Sequence, residues 1–166
     1  MKKKYVFGFL QGLFTVGAGM STVGFFAVTG FGIATKVIDW KKLASQANLN
    51  MESLEGMKAA SSPFALLSIL MVLAVVIGIF RLSGELFKKL KQNEIFVVEN
   101  VVKLKHLAVL VGSLSLVSSL PSLLMSHSLM GDGYMFDLSY LIIALLLLSF
   151  AKVWERANEM AQSVVE

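Results

Sequence analysis

The chain contains no cysteine, two prolines and few charges, with Asp, Glu, Lys and Arg making up only 16% of its 166 residues. Without cysteine there is neither a disulfide nor a thiolate metal site, and the redox compartment stays open. The signatures that would place reacting groups are also missing. No GxSxG, HExxH or Walker loop occurs, and no pair of carboxylates falls within an apolar run, so serine hydrolase, metalloprotease, ATPase and proton-relay chemistry all lack their residues. His106 and His127 would stand about 21 residues apart on one helix, roughly 31 Å, too far to share a metal. No catalytic activity, metal or cofactor is expected.

What fills the chain instead is apolar sequence. Hydrophobic residues reach 56% and the mean hydropathy is +0.74, whereas charged residues make up about a quarter of an ordinary soluble domain. A water-soluble fold of this size could not hide so much apolar surface. The net charge of +4 and pI of about 9.4 do not imply a nucleic-acid partner. The cations sit at the ends of apolar runs, where Lys and Arg set membrane topology. The expected fold class is therefore all-α, a polytopic membrane protein of four transmembrane helices in a single domain.

The first span covers about residues 5–35. After the basic start Lys2–Lys4, Tyr5 to Thr35 is 31 residues without a formal charge. Such a run reaches roughly 46 Å as a helix, while a span needs about 20 residues, so it must tilt, kink or project. Lys2–Lys4 and Gly17-Ala18-Gly19 also suggest a cleaved signal peptide, but the apolar run continues well past any such site, and the span is expected to remain. Gly8 and Gly12 form a GxxxG pair, with Gly19 one heptad further on. They make a groove for a helix backbone, read here as packing within the chain, with a homodimer seam as the alternative. Residues 36–62 are a polar outer loop. Trp40 suits the headgroup level, and Asn50 could cap a short helix through Met51, Leu54 and Met57; the segment is read as a solvated loop with a little helix, with a helix that lies on the membrane or closes as a lid as the alternative.

The second span, 63–80, opens with Pro63 in its first turn, where the missing N–H does no harm. Arg81 to His106 then forms the central stretch around which the rest is arranged, with six of the fifteen Lys and Arg residues. Leu82, Leu86 and Leu90 recur at a helical spacing and Lys88, Lys89 and Lys91 suit a helix C-terminus, so Arg81 to about Gln92 reads as an amphipathic continuation of the span. Asn93-Glu94 breaks it. Ile95 to Val98 reads as an apolar stretch tucking back under the bundle before Glu99, Asn100, Lys103 and Lys105 lead into the third span.

That third span, 107–125, has Ser115, Ser118, Ser122 and Ser126 on one face around Pro121. The serines are read as packing groups, with a polar solute path as the sharper alternative; no ionised residue accompanies them in mid-membrane. A second outer loop, 126–137, holds Asp132 and Asp137 in a tight turn. The fourth span is 138–154, with Lys152 and Trp154 at the interface. Eleven of the fifteen Lys and Arg fall in the N-terminus, the central stretch and the tail, four in the first loop and none in the second. The positive-inside rule then puts both termini in the cytoplasm.

The order of four spans, Arg81-Leu82 after the second, Glu94-Ile95-Phe96, Asn100, the basic Lys103-Leu104-Lys105 and the closing Ala151-Lys152-Val153-Trp154-Glu155 resemble a bacterial group known as domain of unknown function 2975. The resemblance implies a small inner-membrane protein of the kind often encoded beside a short helix-turn-helix regulator; it implies no activity. The expected partners are the lipid bilayer, such a cytoplasmic regulator and a second copy of the chain. Contacts to the regulator or to anionic lipid are expected from Arg81, Glu85, Lys88, Lys89 and Lys91, and from Phe96, Asn100, Lys103 and Lys105 across the turn. A small transporter or exporter, or an immunity-type protein, is the alternative. A transport path would use the Gly face of the first span and the Ser face of the third.

Overall fold

The computed structural model describes residues 2–37, 61–95, 97–121 and 137–163. These form four helices: α1 (Lys2–Ala34), α2 (Pro63–Lys91), α3 (Val98–Val117) and α4 (Leu138–Ser163). All four are long and apolar enough to cross a membrane, and the fold is that of an all-α polytopic membrane protein. In lipid every backbone N–H and C=O must be satisfied within the segment, which a helix does by itself. Side-chain hydroxyls follow the same rule. Thr15, Thr22 and Thr29, one heptad apart, each donate to the carbonyl four residues back, at 2.8, 2.7 and 2.9 Å.

The helices pack in series, α1 on α2, α2 on α3 and α3 on α4. Each pair is antiparallel. A Cβ at Gly32 would meet Leu66 and one at Gly17 would meet Phe80; Gly78 lies against Leu110, and Gly112 against Ala144. The N-termini of α1 and α3 and the C-termini of α2 and α4 therefore share one end, called here the charged end. Among the described residues α1 has α2 as its one substantial neighbour, and its outer face is apolar and open. Phe9, Met20 and Val23 are 69%, 72% and 70% exposed, which only a hydrocarbon solvent tolerates along so long a stripe.

The compact core lies toward the charged end. Leu86, Val101, Leu104, Leu107 and Ala151 are buried together from α2, α3 and α4, with Ile79, Leu82, Leu90, Leu147 and Trp154 around them. Ser62 caps α2, its Oγ accepting the Ala65 N–H, with Pro63 at the first position. Asp137 caps α4 by accepting the Ser139 N–H.

Three features differ from the sequence expectation or resolve it. The 31-residue run of α1 neither breaks nor stops at the level of Arg81. Gly17 pairs with Phe80, so the residues before it run beside the charged half of α2, held by Phe7 and Phe14 against Phe80 and Phe87 with ring centroids 5.4–6.3 Å apart. The excess length projects past the apolar part of α2. Second, α3 begins at Val98 rather than near Leu107, so Glu99, Asn100, Lys103 and Lys105 are on the helix rather than ahead of it. Third, α3 ends at Val117 and a turn follows at Ser118-Ser119. Pro121 supplies the reason, because its ring clashes with the carbonyl four residues earlier. The sequence features at Trp40, Asn50 to Met57, Phe96, Ser122, His127 and Asp132 lie outside the described residues.

Candidate functional site

The candidate site is the charged end, and its framework is the α2–α3 turn. Asn93 has φ 64°, a left-handed conformation that Asn accepts better than most residues with a side chain. The Glu94 N–H bonds the Lys89 carbonyl and the Asn93 N–H bonds that of Leu90, the paired closure of a Schellman helix end. Asn100 then clamps the turn from below. Fully buried, it donates its amide to the carbonyls of Glu94 at 2.6 Å and Ile95 at 3.2 Å. From α4, the Trp154 indole N–H donates to the same Ile95 carbonyl at 2.9 Å. Asn100 is thus a structural clamp rather than an open contact residue.

Ion pairs divide the cations of this end into two groups. Lys103 on α3 reaches Glu85 on α2 at 2.7 Å and Glu99 at 3.1 Å, and Lys89 binds Glu99 while also facing Glu94 at 3.9 Å. Lys105 meets both carboxylate oxygens of Glu155 on α4, at 2.9 and 3.0 Å. These lysines strap α2 to α3 and α3 to α4, and their positive charge is internally matched. Arg81, Lys88 and Lys91, with Lys4 of α1, form no ion pair or hydrogen bond among the described residues. The contact residues expected from the sequence therefore separate, and Arg81, Lys88 and Lys91 are the ones left available.

Lys152 and Arg156 of α4 are also without an ion pair among the described residues, but Lys4, Arg81, Lys88 and Lys91 are the free cations that line a furrow between α1 and α2. Its main cavity, about 530 Å³, is bounded by Gln11, Thr15, Arg81, Glu85 and Lys88, and above them by Ala18, Gly19, Thr22 and Phe80. A smaller cavity touched by Lys4, Gln11, Lys88, Lys91 and Gln92 adjoins it. It leads to a third at Lys4, Tyr5, Gly8, Phe9 and Lys91. A different surface lies on the far side of the layer. There Ile95, Phe150, Val153, Trp154 and Ala157 line an open apolar hollow beside the clamped turn.

The expected packing residues are distributed differently from the sequence reading. Gly8 lies against the stem of Lys91, but a Cβ at Gly12 or Gly19 would meet nothing within 4 Å. Among the described residues neither position packs against α2: Gly19 opens onto the furrow beside it, and Gly17 and Gly32 make the close approaches instead. On α3, Ser115 is buried with its hydroxyl donating to the Gly112 carbonyl at 2.9 Å, and Ser118 is the C-cap residue. Among the described residues the Gly face of α1 and the Ser face of α3 are not brought together, because α2 packs between these helices; Ser122 and Ser126 lie outside the described residues.

Sequence reasoning missed Lys4, Gln11 and Thr15 as furrow residues and Trp154 as a clamp. Gln11 carried a signal, being the one side-chain amide in the charge-free run of α1. Asn158 was missed as well. It is buried on α4, and neither its amide nitrogen nor its oxygen has a partner among the described residues.

Comparison of the chain with protein-family models, with curated proteins and with solved structures finds no match.

Proposed function

We propose that this chain is a non-catalytic protein of the bacterial inner membrane, with both termini and the α2–α3 turn in the cytoplasm, whose charged end docks a small regulatory protein. The observation that carries the reading is the apolar hollow at Ile95, Phe150, Val153, Trp154 and Ala157. Ile95, Val153 and Ala157 stand at the level of the ion pairs, where a lipid-facing surface is not needed, and the turn beneath them is held by Asn100 and Trp154. An open apolar hollow beside a clamped turn is the kind of surface that the apolar face of a partner's amphipathic helix fills. The resemblance to domain of unknown function 2975 points to a helix-turn-helix regulator as that partner, and the eleven Lys and Arg of this end support its cytoplasmic orientation.

The test is purification of the tagged full chain from its host in mild detergent, beside an Ile95→Glu/Val153→Glu variant. Both positions line the hollow and are exposed, at 39% and 69%, so folding should survive the change. The expected result is one small DNA-binding protein in stoichiometric amount with the wild type and at least a tenfold loss with the variant. Equal recovery with both, or no stoichiometric protein with either, would contradict the docking reading. A transport path shared by α1 and α3 gains no support from an arrangement that sets α2 between them.

A further inference from the structure

We infer that the furrow between α1 and α2 is a binding site for an anionic phospholipid, one phosphate-bearing headgroup at Arg81 and Lys88 with an acyl chain rising past Gly19. Three independent observations meet there. The first is charge. Lys89, Lys103 and Lys105 are neutralised by Glu94, Glu99, Glu85 and Glu155, while Arg81, Lys88, Lys91 and Lys4, which face the furrow, have no anionic partner among the described residues. Glu85 also borders the cavity, but its carboxylate is bound to Lys103 at 2.7 Å. The second is hydrogen-bonding capacity. The Gln11 and Gln92 side-chain amides lie in the same furrow, and neither makes a hydrogen bond among the described residues.

The third observation is shape. Arg81 is the first charge after the 18 apolar residues Pro63 to Phe80, so the basic half of the cavity sits at the headgroup level and the half lined by Ala18, Gly19, Thr22 and Phe80 continues into the apolar zone. Nothing occupies the space where a Cβ of Gly19 would stand, which leaves room for a chain along α1. Arg presents a fork of donors to phosphate oxygens and Lys a mobile point charge. A free phosphate would satisfy the cations and leave the upper half of the furrow empty. A phospholipid fills both halves. The site is separate from the apolar hollow beside Ile95 and does not depend on the docking of a regulator there.

The full chain in lipid nanodiscs or mild detergent tests this by native mass spectrometry, titrated with phosphatidylglycerol, with phosphatidylcholine and with inorganic phosphate. The wild type should retain phosphatidylglycerol at least tenfold better than phosphatidylcholine. Arg81→Gln/Lys88→Gln should lose about thirtyfold of that affinity, at roughly fivefold per cation near the leaflet. Lys36→Gln, at the opposite end of the layer, should lose none. Gly19→Leu keeps every charge and fills the acyl path, so it should weaken phosphatidylglycerol and leave phosphate unaffected. Equal phosphatidylglycerol retention by the wild type and the Arg81→Gln/Lys88→Gln variant would overturn the site. Binding of inorganic phosphate as tight as that of lipid, with no effect of Gly19→Leu, would overturn the lipid as its occupant.

Discussion

Three asparagines at the charged end do different work, and each gives a distinct prediction. Asn93 holds a left-handed turn position at φ 64°. Asn93→Gly should leave stability unchanged within a few tenths of a kcal/mol, while Asn93→Val should cost about 1–2 kcal/mol, read by thermal or denaturant unfolding in detergent. Asn100 satisfies the Glu94 and Ile95 carbonyls from a fully buried position. Removing it as Asn100→Leu leaves the Glu94 carbonyl without that donor and should cost about 1–3 kcal/mol. Asn158 is buried with both amide atoms unpartnered among the described residues, so Asn158→Leu should be neutral or stabilising by up to about 1 kcal/mol, the opposite sign from Asn100→Leu. The two unfolding curves shifting in the same direction would contradict this assignment. The break at Asn93-Glu94 was legible in the sequence, because Asn accepts the left-handed position that ends a helix. The roles of Asn100 and Asn158 were not, because the difference lies in which carbonyls come within reach.

At the scale of elements, register decides what sequence patterns leave open. The glycines of α1 are spaced for two or more faces, and composition cannot tell which face meets α2. The structure answers with Phe80, whose ring would lie 3.1 Å from a Cβ at Gly17, and with open space at Gly12. Gly17→Leu should therefore force α1 and α2 apart and cost about 1–3 kcal/mol, while Gly12→Leu should leave stability near that of the wild type. Comparable losses from both would mean that Gly12 also packs against another helix. The length of α1 was legible as an excess over a bilayer span, but its resolution as a projection needed the pairing of Gly8 with Lys91. The start of α3 was misplaced for a related reason. Glu99, Lys103 and Lys105 end the apolar run near Leu107, yet a helix is set by backbone hydrogen bonds and continues through charges that neighbours can pair. Which lysines are paired depends on carboxylates as far away in sequence as Glu155 is from Lys105, a relation that hydropathy does not contain.

For the whole molecule, four antiparallel helices in series make a layer with two chemically different ends and two usable surfaces at the charged one. The ion pairs tie α2, α3 and α4 together there, and α1 adds the aromatic contacts of Phe7 and Phe14. The furrow and the apolar hollow are left open on either side of this strapped core. The docking proposal depends on which way the charged end faces. The absence of cysteine makes that directly measurable, since every labelled thiol can be one that was placed. Gln92→Cys lies in the exposed α2–α3 turn and Val37→Cys, at 86% exposure, lies just past the end of α1. In spheroplasts treated with a membrane-impermeant maleimide, Val37→Cys should label at once and Gln92→Cys only after lysis. Labelling of Gln92→Cys in intact spheroplasts, with protection of Val37→Cys, would invert the topology and contradict a cytoplasmic docking end.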